Sequence, residues 1–136
     1  MLLIKNKTAL VAQTIILILF SVNLYANINY FPQEVAIVRW LDKVTGRVST
    51  FNVNVGEPVT IGSLTVEIKE CVAQPIEEGP ESAAFFLILD NRKIKDKPEL
   101  FSGWMYSSSP ALSALENAVY DLWLLGCSPK LESSSE

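Results

Sequence analysis

The chain has 136 residues, with 11 basic and 15 acidic side chains, two cysteines and no histidine. This length supports one small domain, and without histidine the chain cannot build Ser-His-Asp or Cys-His catalytic machinery. The net charge of −4 argues against nucleic acid as a partner, because neutralisation of phosphates by Lys and Arg dominates that affinity.

Residues 1–26 have the layout of a secretory signal peptide: a start with two lysines, an apolar run over 8–20, and a polar stretch that ends at Ala26. We expect cleavage between Ala26 and Asn27. The apolar run is shorter than the roughly 20 residues that span a bilayer. The alternative is a structural subunit that keeps its N-terminal helix as a membrane anchor.

Cleavage would leave a single domain at 27–128. The whole mature chain from Asn27, including its tail, would keep nine of the eleven basic residues against all fifteen acidic residues, a net charge of −6. Cys71 and Cys127 would then face an oxidising compartment, where an isolated pair is expected to form a structural disulfide. Because the two cysteines do not have Cys-x-x-Cys spacing, a redox-active pair is disfavoured.

The domain reads as a series of short strands separated by turns that are rich in glycine, proline and polar residues. The clearest alternation places Phe51, Val53 and Val55 on one face. We predict strands at 35–43, 51–55, 64–70, 83–89, 100–106 and 118–127. In the third of them, strict alternation points Cys71 outward unless a β-bulge intervenes or the strand ends first.

Ser109 and Pro110 form the only good helix start, with serine as the N-cap and proline at the first helical position. The Ser- and Glu-rich segment 129–136 is predicted to be a disordered tail. The fold class is therefore all-β: a small antiparallel sandwich or barrel of six to seven strands with one short helix.

The run of serines at 107–109 lacks the Gly-x-Ser-x-Gly setting of an exposed nucleophile, and we interpret it as a strand end and helix cap. Glu77, Glu78 and Glu81 crowd one loop, but they lack the ligand order of a dedicated calcium loop. We therefore predict no catalytic residue, no metal site and no cofactor.

Two carboxylates keep an enzymatic alternative open. Glu116 and Asp121 could act as an acid/base pair in a hydrolase of envelope polymers. We favour a structural role for Asp121, because it shares strand parity with Val119 and Trp123 and a buried charge needs a partner. By residue type, Arg39 and Arg47 are the best candidates for a bidentate ion pair with it.

The tryptophans and tyrosines lie at strand spacing. Trp104 and Tyr106 share one strand face, Trp123 lies on the last strand and Trp40 on the first. Aromatic residues at this spacing usually fill a core. If they are exposed instead, Trp104, Tyr106 and Trp123 form a candidate surface for a peptide or saccharide.

Two segments, "FSGWMYSSSPAL" and "YDLWLLGC", carry a resemblance to a known family. With the stretch from Leu41 to Cys127, the chain resembles the domain of unknown function 2155, an exported family of Gram-negative bacteria. In that family His-Pro commonly stands where this chain has Asn117 and Ala118. The resemblance implies periplasmic export and pairing of the two cysteines, and it supplies no activity. We therefore expect a non-enzymatic binding or assembly factor of the cell envelope, with an unknown envelope protein or polymer as its partner.

Overall fold

The architecture is a two-layer antiparallel β-sandwich, seen in a computed structural model. The structure describes residues 7, 9–11, 13, 29–79, 81–93 and 98–130. The expected cleavage point between Ala26 and Asn27 and the tail beyond Lys130 lie outside these residues. No helix in the described part of the chain has the length and apolar character needed to cross a membrane.

Nine strands are formed by the described residues. They are β1 (Phe31–Pro32), β2 (Val35–Asp42), β3 (Arg47–Asn54), β4 (Val59–Ile61), β5 (Leu64–Ala73), β6 (Ser82–Asp90), β7 (Glu99–Tyr106), β8 (Leu115–Glu116) and β9 (Tyr120–Ser128). The first sheet has the order β1-β5-β6-β7, with β4 also paired to β5, and the second has the order β3-β2-β9-β8. All pairings are antiparallel. The predicted all-β sandwich is confirmed.

The six long strands correspond to the six predicted strands. Between the shifts in register, every second side chain of these strands points between the sheets, so the core contains, among others, Val38, Ile68, Phe86, Met105 and Leu124. The three additional strands have only two or three residues, which is too short to show a period.

The predicted helix is reduced to a single 3₁₀ turn over Pro110–Leu112. Ser109 precedes it, but its side chain makes no capping hydrogen bond. A second 3₁₀ turn covers Ile76–Glu78. The expected helix cap is therefore wrong, and the serine hydroxyls before Pro110 are used elsewhere.

A β-bulge settles the orientation of Cys71. The register of β5 against β6 shifts between Ile68 and Glu70, so the alternation changes phase and Cys71 points into the core, where it is 2% exposed. There it forms a disulfide with Cys127 of β9, with the two Cα atoms 5.9 Å apart. The bond joins the two sheets. A disulfide is typical of an oxidising, non-cytoplasmic compartment.

Candidate ligand-binding cleft

The hairpin of β2 and β3 carries a cleft on its inner face. In this hairpin Trp40 lies opposite Ser49, and Asp42 lies opposite Arg47. These pairs continue the face that holds core residues such as Val38, but they lie toward the turn. Together with Thr45 they line a cleft of about 310 Å³.

An aromatic cluster fixes one wall of this cleft. The Trp40 ring packs at 5.8 Å from Phe51 in a tilted arrangement and at 5.0 Å from Tyr120 edge to face. Gly62, in the turn between β4 and β5 of the first sheet, packs against this cluster. A Cβ on Gly62 would lie 2.9 Å from the Trp40 ring and 2.8 Å from the Tyr120 hydroxyl, and its φ of +59° is one that favours glycine. Trp40 is thus held rigidly where it meets the cleft.

The indole nitrogen of Trp40 is buried, and its N–H has no hydrogen-bond acceptor among the described residues. Buried donors are almost always paired with protein or with a bound molecule, because an unpaired one loses its bond to water. Four buried side-chain atoms lack a hydrogen-bond partner among the described residues, and only the Trp40 nitrogen belongs to a residue that lines this cleft. This makes the cleft the candidate binding site.

Asp42, the carboxylate of the cleft, is occupied by its own turn. Its Oδ1 accepts hydrogen bonds from the N–H groups of Val44 at 2.9 Å and Thr45 at 3.1 Å. The bond from Thr45 is the largest of the effects that hold the pKa of Asp42 below its ordinary value, and the charge of nearby Arg47 adds to it. Arg47 itself forms no salt bridge with any described residue. Its guanidinium remains available to a ligand.

The run of serines is part of a structural network at another loop. The carboxylate of Glu81 accepts hydrogen bonds from Ser82 N–H at 2.9 Å and Ser107 Oγ at 3.1 Å, and from both the N–H and Oγ of Ser108. Burial raises the pKa of Glu81, but these bonds outweigh it and hold the pKa below its ordinary value. The serines therefore pin the end of β7 to the start of β6.

Glu77 and Glu78 lie in the 3₁₀ turn that precedes Glu81. In the described part of the chain no group of three or more metal-ligating side chains comes together.

The structure places Asp121 differently from the prediction. In β9 the core-facing residues are Leu122 and Leu124, so Asp121 and Trp123 point to the outer face of the second sheet. Asp121 is paired with Lys43, at 2.6 Å between Nζ and Oδ1, instead of with Arg39 or Arg47. Strand parity does not distinguish the two faces of β9, because apolar residues occur on both.

Glu116 lies directly opposite Asp121 in the β8–β9 ladder. Like charges directly opposite each other are unfavourable, and Lys43 offsets this by its ion pair with Asp121. The Lys43 ammonium also donates to the backbone oxygen of Asn117 at 3.0 Å. Neither carboxylate lines the Trp40 cleft.

Among the described carboxylates the most deeply buried is Asp90, at the end of β6, which sequence reasoning missed. Its side chain is 1% exposed and is held by a fork from Arg92, with Nε to Oδ1 and Nη2 to Oδ2 both at 3.0 Å. The Arg92 side chain is the largest cause of the lowered pKa of Asp90. Because the two residues are only two positions apart, an Asp-x-Arg pattern at a strand end is the signal that could have found this pair.

The three aromatic residues of the predicted surface do not come together. Trp104 and Tyr106 lie on the outer face of the first sheet, where Trp104 packs edge to face on Phe85 at 5.6 Å and Tyr106 is 39% exposed. Trp123 lies on the outer face of the second sheet, opposite Arg39 in the ladder. A single surface built from all three is therefore excluded by the fold.

The profile of one known protein family matches most of the chain. The profile of the family described as an uncharacterized protein conserved in bacteria, DUF2155, matches residues 36–127. The chain belongs to this family. The DUF2155 region spans both sheets, from β2 to β9, and it contains the whole cleft and both cysteines. No solved structure matches the chain.

A relative of this DUF2155 chain is found in Rickettsia prowazekii (strain Madrid E), where it is described as uncharacterized protein RP359. The two are 25% identical over 87 residues, which is 64% of this chain and 56% of the relative. The chain thus matches little more than half the length of that protein.

Proposed function

We propose that this protein is an exported, non-enzymatic binding factor of the bacterial cell envelope, and that the Trp40 cleft takes a saccharide unit bearing a carboxylate. The observation that carries the proposal is a cleft lined by both Trp40 and Arg47. Among the described residues, the buried Trp40 N–H has no acceptor and Arg47 forms no salt bridge. The periplasm is the compartment we infer from the predicted signal peptide and the disulfide.

The chemistry of the lining suits such a ligand. An aromatic ring offers an apolar plane to one face of a sugar ring, as amphipathic aromatic residues do at polar interfaces. Ser49 and Thr45 supply hydroxyls that can donate or accept, and Arg47 supplies a fork that matches a carboxylate. A cleft of about 310 Å³ is at the small end of ligand sites, which suits one or two sugar units.

The same lining argues against hydrolysis in the cleft. Glycoside hydrolysis needs two carboxyl groups that flank the scissile bond, whereas the lining contains one, Asp42. That carboxylate already accepts two backbone hydrogen bonds. Binding without turnover is the function that this geometry supports best.

Calorimetric titration with soluble glycan fragments of the envelope tests the proposal. We expect binding by the exported protein, and at least roughly tenfold weaker binding by Arg47→Gln, because the charge-assisted fork to the carboxylate is lost. The matched control is Arg39→Gln, which removes the same side chain from the outer face and should leave the affinity unchanged. Fragments whose carboxylates are amidated should bind wild type as weakly as unmodified fragments bind Arg47→Gln.

Two further measurements separate the alternatives. Mass spectrometry of the fragments after incubation should find them intact, and cleavage that Glu116→Gln abolishes would replace the proposal with the hydrolase. The intact mass of the exported protein should correspond to a chain that begins at Asn27. A full-length chain in the membrane fraction would favour the anchored subunit. Equal binding by wild type and Arg47→Gln would refute the cleft as the binding site.

A further inference from the structure

Strand β3 forms an edge of the second sheet, since it pairs with β2 on one side only. It runs for eight residues without a bulge against β2, contains no proline, and carries its only charge, Arg47, at its first position. Val48 is 55% exposed on its outer face. A long, regular and nearly uncharged edge is a template for pairing with another strand.

The hydrogen-bond pattern identifies which backbone groups of β3 are unpaired. Val55 N–H donates to Glu34 O, and the register places residue 55 opposite residue 34. In an antiparallel ladder such bonded pairs recur at every second residue. Residues 47, 49, 51 and 53 therefore bond to β2, and the N–H and C=O groups of Val48, Thr50 and Asn52 point to the free edge.

The other sheet edges in the described part of the chain are short or covered. β1, β4 and β8 have two or three residues each, and β1 contains Pro32. The long edge strand β7 is flanked by the 3₁₀ turn at Pro110–Leu112, and the Ser113 hydroxyl beyond that turn donates to the backbone oxygen of Trp104. β3 differs from all of these because nothing described lies along it.

We propose that β3 pairs antiparallel with β3 of a second copy of this chain, with the two-fold axis at Thr50. Thr50 then faces Thr50 of the second copy, and Val48 faces its Asn52. Each of these bonded pairs exchanges two hydrogen bonds, so the three pairs (one Thr50–Thr50 and two Val48–Asn52) form six. All six free groups of each edge are satisfied, and the two four-stranded sheets become one continuous sheet.

The edge is complementary to itself in this register. A two-fold interface requires that the same patch serve both copies, and the register places Arg47 opposite Val53 of the second copy. The two Arg47 side chains are six residues apart along the paired strands, about 20 Å, so no like charges meet. Facing threonines also form a favourable cross-strand pair.

Light scattering of the exported protein over a range of concentrations tests the proposal. We expect wild type to reach the mass of a dimer and no more, because pairing uses up both free edges. Thr50→Pro should dissociate at least roughly tenfold more readily, since it removes both central hydrogen bonds and places a ring at the interface. The N–H of Thr50 is not bonded to β2, so the domain should still fold, with an unchanged near-ultraviolet circular dichroism spectrum.

The matched control is Thr50→Ala, which keeps the N–H and loses only the small contribution of the facing threonine side chains. It should dimerise close to wild type and clearly more tightly than Thr50→Pro. Hydrogen exchange of the wild-type amides gives a test that does not depend on any variant. The amides of Val48, Thr50 and Asn52 should become protected as the concentration rises, while exposed amides elsewhere do not. A monomeric wild type at every concentration, or dimerisation without protection of these three amides, would overturn the proposal.

Discussion

Replacing both Cys71 and Cys127 with alanine should lower the free energy of unfolding by about 4 kcal/mol. The two residues are 56 positions apart, and closing a loop of this length removes about 14 cal/mol/K of entropy from the unfolded chain. At 25 °C this corresponds to about 4 kcal/mol. A small domain has a total stability of about 5–15 kcal/mol, so the loss is a large share of it.

Urea titration followed by tryptophan fluorescence measures this loss. With a slope of about 1–3 kcal/mol/M, the midpoint should fall by between about 1.5 and 4 M. Reduced wild-type protein is the control, because it keeps both sulfur atoms, and its loss should agree with that of the double variant to within about 1 kcal/mol. A double variant that loses less than about 1 kcal/mol would refute the loop-closure argument for this bond.

Three other predictions concern single residues. Gly62→Ala should destabilise the domain by more than Gly46→Ala. Both positions have positive φ, but only a Cβ at Gly62 would meet side chains, those of Trp40 and Tyr120. Equal losses of stability in urea titrations would show that the aromatic cluster does not confine Gly62. Asp121→Asn should lower the free energy of unfolding by no more than about 1 kcal/mol. Asp121 and Lys43 form a partly exposed ion pair, with side chains 23% and 37% exposed, and such a pair contributes little to stability. A loss of several kcal/mol would contradict this. The pKa of Glu81 is lowered from 4.5 in the folded protein, so its contribution to stability is present above pH 4.5 and lost as the pH falls through the folded value. Stability measured against pH should therefore decline less below pH 4.5 in Glu81→Gln than in wild type, and parallel curves would disprove the role of the serine network.

β3 and β5 could be predicted because each contains an alternating run long enough to show a period of two, whereas β6 is indicated by an unbroken apolar run over 83–89. Phe51 and Val53 of β3, for example, point inward as the alternation indicates. In β9 the alternation gave no direction, since Leu122 and Leu124 alternate with Trp123 and Leu125, and apolar residues occur on both faces. The sequence pattern of β9 therefore does not indicate that Asp121 lies on the outer face.

The serine run and the cleft required long-range information. The hydroxyls of Ser107 and Ser108 bind Glu81, which lies 26 and 27 positions away in the chain, and nothing local indicates that partner. The cleft depends on the register of the β2–β3 hairpin, which sets Trp40 opposite Ser49. Gly46 marks the turn in the sequence, but the register follows only when both strands are placed.

The central claim is that the Trp40 cleft binds an acidic saccharide, and the indole N–H of Trp40 reports on it most directly. The chain has three tryptophans, so a nitrogen-15 spectrum shows three indole signals that single substitutions can assign. On addition of the glycan fragments, we predict that the Trp40 signal shifts as its N–H gains an acceptor, while the Trp104 and Trp123 signals stay in place. A saturating titration that moves the Trp104 or Trp123 signal and leaves that of Trp40 unchanged would contradict the account.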